Sequence, residues 1–189
     1  GYPGTALSVF DGISWQVQDL SFPVEEITGV IMDLSGGIWA LSYRTSALHG
    51  FNGMSWVHYS WGWEEPNRAG DKGPPMAVDN NNNIWINMDF GRWGVRVFET
   101  STLTWRAYTS DDGIPWDSLY CIAVDHNNNV WIGTEKTGVL KFDGTTWTVY
   151  DTSNGIAHNQ VYTIAVDESN TVWLGTYSGV SKTSDEGAT

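Results

Sequence analysis

Four near-identical phrases predict an all-β protein, a β-propeller of four-stranded antiparallel blades with about four blades in this chain. The phrases are VIMDLSGGIWALS, MAVDNNNNIWINM, IAVDHNNNVWIGT and IAVDESNTVWLGT. Their aspartates (Asp33, Asp79, Asp125, Asp167) stand 46, 46 and 42 residues apart, and Trp39, Trp85, Trp131 and Trp173 keep the same spacing. No segment sustains the 3.6-residue periodicity of a helix. A flat solenoid competes for such a repeat, but four strands per copy with strong turns favour blades.

The copy from Leu119 to Gln160 shows each element in order. Cys121 to Val124 is a short apolar run, and HNNN supplies residues that tolerate a left-handed backbone and close tight turns. VWIGT follows at hairpin spacing, then a loop over Glu135–Gly138, then VLKF, the turn DGTT and the strand WTVY. The runs IAV and VWI are apolar on both faces, so each sheet needs cover on both sides, which identical neighbours packed face to face provide. The repeats are expected at about 27–60, 74–109, 119–151 and 161–183 within one domain, 1–189. At the N-terminus LSVFDGISWQV matches VLKFDGTTWTV, so residues 6–18 are expected to be outer strands that complete the last blade. The segment GVSKT (Gly179 to Thr183) then duplicates a third strand, as a linker, as part of a longer array or as a strand donated to a neighbour. The recurring tryptophans of the second strand are expected in the core, as are Trp15, Trp56, Trp105 and Trp147 on the outer strand.

At IAVDHNNNVWIGT…GVLKFDGTTWTVYDTSNGI the sequence resembles the two-component regulator propeller repeat of bacterial hybrid histidine kinase sensor regions and other exported propellers. The resemblance is strongest in the last two repeats. It implies a propeller from a bacterial extracytoplasmic protein, extracellular or periplasmic, and it does not imply a kinase. The repeat is also distantly similar to that of streptogramin lyases, although no catalytic residue of that family can be matched.

Composition narrows the classes of function. With 22 acidic and nine basic residues the net charge is −13, which repels phosphate backbones and anionic lipid heads and speaks against nucleic-acid partners. No stretch approaches the ~18 to 20 continuous apolar residues that cross a bilayer, so no membrane insertion is expected. The lone Cys121 has no metal-ligand spacing; it aligns with Thr163 and is expected to be buried and inert.

The crossings from an outer strand to the next innermost strand (19–28, 60–75, 109–118, 151–160) and the loops between second and third strands are expected on one face. The ligand-binding candidates there are Trp61, Trp63, Glu64, Glu65, Arg68, Arg92, Trp93, Trp116, His158 and Tyr177, alongside Arg44, His49, Asp89, Phe90 and Glu135. SWGWEEPNRAGDKGPP and NMDFGRWG break the repeat, and departures from a scaffold are where function is grafted. Exposed indoles beside carboxylates and arginines suit sugar rings; the competing reading has Trp61, Trp63 and Trp93 only packing the loops. DNNNN and DHNNN place oxygen ligands at alternate positions as a calcium loop does, but DLSGG and DESNT lose them and no Glu follows at the twelfth place. Tight turns explain these segments, so neither a metal nor a cofactor is expected. The histidines are scattered, and HExxH, GxSxG and a phosphate loop are all missing.

The expectation is therefore a non-enzymatic extracytoplasmic module for ligand binding, sensing or scaffolding. Its partners would be a glycan or other small ligand, other proteins, or copies of itself. A carbohydrate-binding or carbohydrate-active lyase or hydrolase is one alternative, and a self-assembling filament or oligomer subunit is another.

Overall fold

A computed structural model describes residues 6–10, 12–19, 27–42, 47–52, 54–61, 75–87 and 94–185. The chain divides into two compact units, Gly1–Gly73 and Pro74–Thr189. In the first, β1 (Ala6–Phe10) and β2 (Trp15–Asp19) form a two-stranded antiparallel sheet. The same unit holds a four-stranded sheet of β3 (Gly29–Met32), β4 (Ile38–Ser42), β5 (Ala47–Phe51) and β6 (Trp56–Ser60).

The second unit holds β7 (Met76–Val78), β8 (Ile84–Asn87), β9 (Val95–Glu99) and β10 (Thr104–Tyr108) as one sheet. Next come β11 (Leu119–Val124), β12 (Val130–Thr134), β13 (Val139–Phe142) and β14 (Trp147–Tyr150). Last is a three-stranded sheet of β15 (Val161–Val166), β16 (Val172–Thr176) and β17 (Gly179–Thr183). Among the described residues helix is confined to two 3₁₀ turns, Ser110–Asp112 and Thr152–Asn154. Strand β16 pairs with β15 on one side and β17 on the other. The place beside β16 expected for the N-terminal strands is thus held by GVSKT.

One local device builds every repeat. Asp125 accepts hydrogen bonds from the amides of Asn127 and Asn129 on Oδ1, and from Asn129 Nδ2 and the Trp131 indole on Oδ2, at 2.8–3.0 Å. Asp33, Asp79 and Asp167 hold Trp39, Trp85 and Trp173 in the same way, at 2.8, 2.9 and 2.9 Å. The turn carboxylate therefore fixes the core indole six residues on, and those oxygens are already committed to protein donors rather than to a cation. Asn82, Asn128 and Asn170 close the turns with φ between 62° and 67°, and Gly36 does so at 83°.

Within the second unit the sheets stack face to face. The indole of Trp85 lies against Phe142 and Trp147 of the next sheet, with ring centroids 5.7 and 6.4 Å apart. Trp131 is covered in turn by Val161, Val172 and Leu174. Close approach requires glycine at 133: a Cβ there would sit 2.5 Å from Cys121 Sγ and 2.7 Å from the Val161 carbonyl. Cys121 faces Gly133 as Thr163 faces Gly175, and burial pushes its thiol up to about 11. Two expected core tryptophans differ: Trp15, on a two-stranded sheet, is largely exposed, and Trp173 is 37% exposed.

Candidate functional site

The loops that enter β11 and β15 are built to the same plan. Thr109 and Asp151 cap their 3₁₀ turns, and each side chain is reciprocated by the residue three further on, Asp112 and Asn154. Gly113 and Gly155 end the turns in the left-handed region, φ 98° and 96°. Each loop is then clamped to the turn beyond its sheet's second strand: Glu135 N donates to Ser118 O at 2.9 Å, and Tyr177 N donates to Gln160 O at 3.0 Å. These equivalent bonds make Trp116 and His158 one repeated position, and Glu135 and Tyr177 another.

Asp117 ties the first of these loops down. It accepts from the Lys136 and Thr137 amides and from Thr137 Oγ1 at 2.7–2.8 Å. Burial opposes its ionisation, but those hydrogen bonds outweigh it and hold the carboxyl below its ordinary value. The corresponding Asn159 accepts from Thr152 N at 2.8 Å within its own loop.

On this base one aromatic side chain at the repeated positions of each sheet is presented rather than packed. Trp116 is 71% exposed and Tyr177 68%. His158 and Tyr177 are in ring contact, centroids 5.2 Å apart at 45°. His158 Nδ1 accepts from Gln160 N at 2.9 Å, so the neutral ring carries its proton on Nε2. At the start of β11 and β15 a register shift falls on Tyr120 and Tyr162, whose rings stack at 5.8 Å and 6°. A bulge re-aims the extra residue's side chain, so these two tyrosines leave the regular alternation of the strand.

The structure thus brings together His158 and Tyr177 and places Trp116 at the equivalent place one sheet earlier. Trp61 is buried at 6% exposure and is not presented for stacking. His49, read as a loop residue, belongs to β5 and is buried; desolvation, reinforced by His58, lowers its pKa to about 4. Arg44, Trp63, Glu64, Glu65, Arg68, Asp89, Phe90, Arg92 and Trp93 lie outside the described residues. No group of three or more His, Cys, Asp or Glu could hold a metal among the described residues. Tyr120, Tyr162 and Asp117 were not anticipated; the repeated tyrosine of LYCIAV and VYTIAV was the available signal for the first two.

The sequence pattern of the two-component regulator propeller family matches residues 113–136 and 155–178, so the chain carries repeats of that family, with the loops just described inside them. No curated protein matches the chain. Among solved structures it is similar to the extracellular domain of a putative hybrid two-component system of B. thetaiotaomicron. That match has 18% identity and TM-score 0.66, and covers 91% of this chain and 23% of that one. Virginiamycin B lyase from Staphylococcus aureus is 13% identical with TM-score 0.69, over 94% of this chain and 62% of that one. PorZ, a surface component of the type-IX secretion system of Porphyromonas gingivalis, is 16% identical with TM-score 0.60, over 88% and 27%. These likenesses show the β-propeller fold. The chain spans about a quarter of the length of the first of them.

Proposed function

We propose that this chain is a non-enzymatic propeller module that binds a ligand outside the cytoplasm of a bacterium and so serves sensing or scaffolding. The observation that carries this reading is the pair of repeated loop positions. Their backbone bonds are the same in both sheets, while their side chains differ, exposed Trp116 with half-buried Glu135 and half-buried His158 with exposed Tyr177. A scaffold requires only the backbone bonds, so the side chains are free to serve recognition. Family repeats across both loops, and the likeness to a sensor's extracellular domain, support the location and the sensing role.

The ligand class best suited to these groups is a sugar. Indole and phenol rings cover the apolar face of a pyranose, while Glu135 and His158 Nε2 meet hydroxyls. The test is a glycan array with wild type and a Trp116→Ala/Tyr177→Ala variant. Wild type should bind a restricted set of glycans, and the double variant should lose about tenfold or more in affinity with its melting temperature kept. Binding that survives the double change removes these loops from consideration. A second reading, a carbohydrate-active lyase or hydrolase, is favoured by the placement of His158 and Tyr177, two side chains able to carry protons, in ring contact at one loop. Release of a sugar product on incubation would replace the non-enzymatic reading.

A further inference from the structure

The two repeated loop positions differ in charge as well as in shape. Trp116 and His158 each stand two residues ahead of the carbonyls, Ser118 O and Gln160 O, that accept from Glu135 N and Tyr177 N. In the later sheet the two side chains so placed touch, His158 against Tyr177, with centroids 5.2 Å apart. The earlier sheet puts an exposed indole, Trp116, and a carboxylate, Glu135, at that pair of places. A ring face beside a carboxylate is a set of groups that holds an ammonium, because the ring quadrupole and the anion both attract a cation.

The cations of the neighbouring strands are engaged elsewhere. Arg106 lies 4.5 Å over the ring of Tyr108, Lys141 5.4 Å over Trp131 and Lys182 5.0 Å over Trp173. Among the described residues no cation lies over Trp116. Glu135, by contrast, already holds one ammonium: Lys136 Nζ is 3.4 Å from Glu135 Oε2, with the lysine side chain 77% exposed. An exposed pair of this kind contributes little to stability, so a ligand cation can displace it. Asp117 adds a second carboxylate at the same loop, fixed by the amides of Lys136 and Thr137. One lysine therefore faces two carboxylates, in a chain of net charge −13 that draws cations towards it.

We propose that the sugar read at these loops is an amino sugar with a free ammonium, its ring on Trp116 and its nitrogen at Glu135 in place of Lys136. The inference rests on the sugar reading above and adds the charge. It makes Lys136 a competitor built into the site, on Glu135 when the site is empty and in solvent when it fills. An N-acetylated sugar keeps the ring but brings no charge, so it displaces the lysine without replacing what the carboxylate loses.

Calorimetric titration with two probes of equal length tests this. One is a β-1,4-linked glucosamine tetramer and the other is the same tetramer with every amine acetylated. Both are titrated at a mildly acidic pH, where the free amines are charged. The glucosamine tetramer should bind about tenfold more tightly, and added salt should weaken it alone. Glu135→Gln should remove that preference, whereas Lys136→Gln should strengthen the glucosamine tetramer by about twofold to fivefold. Both variants should bind the acetylated tetramer as wild type does, which reports an intact site. Tetralysine, which carries the charge without a pyranose ring, should bind about tenfold more weakly than the glucosamine tetramer.

Equal affinity for the two tetramers overturns the inference and leaves the sugar reading in place. So does a preference that Glu135→Gln retains, or weaker glucosamine binding by Lys136→Gln. Tetralysine that binds as tightly as the glucosamine tetramer overturns the assignment to a sugar. If neither tetramer binds, a neutral glycan found on the array overturns the inference alone, and an array without a binder removes the sugar reading with it.

Discussion

Sheets β11–β14 and β15–β17 repeat IAVD and VW at matching places and repeat the Asp-to-Trp hydrogen bond, yet Trp131 is 1% exposed and Trp173 37%. The third strands differ as well, on the face turned to the preceding sheet. Leu140 and Phe142 of β13 point into the preceding interface, whereas β17 has Ser181 and Thr183 at those places. Where the aromatic plug is missing, a cleft with about 390 Å³ of empty space, part of it open to solvent, lies among Trp131, Tyr150, Ile156, Leu174 and Thr183. The repeat thus encodes local bonding copy by copy, while burial belongs to pairs of copies.

The strongest way to break the comparison is at the carboxylates. Asp125→Ala removes the acceptor of four hydrogen bonds from a buried turn and leaves the Trp131 indole N–H without a partner in the core. Urea unfolding should show a loss of about 3 to 4 kcal/mol. Asp167→Ala removes the matching acceptor in the open copy, where water replaces it, and the loss should be clearly smaller. Equal losses would mean that both copies are equally enclosed.

The third-strand position opposite the residue after the tryptophan holds His49, Arg96, Leu140 and Ser181 in the successive sheets. His49 is favoured as the neutral ring in the folded state, because burial and then His58 lower its pKa to about 4. Its folded pKa lies below the unfolded one, so stability is complete above pH 6.5 and declines as pH falls from there towards 4. The decline should approach roughly 3 kcal/mol at the acid end of that window. His49→Leu, the choice made in β13, should flatten that part of the pH–stability curve.

A smaller effect sharpens the contrast from the other side. Thr183→Phe restores the ring that β13 supplies and should raise stability by about 1 kcal/mol by filling apolar space against Trp131. The gain is modest because Thr183 Oγ1 gives up its bond to Asp185. An unchanged melting temperature would show that the cleft does not admit the ring.

Much of this fold was legible because it is periodic. The Asp-to-Trp spacing of six residues, the Asx-rich turns and the four short apolar runs recur, and the short antiparallel strands β3 to β17 fall on those runs. The candidate site was legible only in part. Trp116, His158 and Tyr177 follow from loop position, but their equivalence depends on two backbone bonds that composition does not reveal. Tyr120 and Tyr162 depend on a register shift, and a sequence read in strict alternation puts such residues on the wrong face. Trp61 and Trp15 illustrate the opposite limit: an aromatic beside a turn is buried or exposed according to what lies over it, which is not a property of its own segment.

The asparagine rungs between turns have a direction. In both bonds from a turn amide to an asparagine Oδ1, the side chain belongs to the later repeat and the amide to the earlier one, whose turn is already closed by its own aspartate: Asp79 for Asn80, Asp125 for His126; Asn80 Nδ2 answers in the other direction by donating to His126 O at 3.2 Å. A chain emerging from the ribosome N-terminus first presents a finished acceptorless amide before the asparagine that will meet it has been made. Assembly of the second unit can then proceed as growth at one end, each new hairpin latching on to a completed predecessor, without waiting for the whole polypeptide.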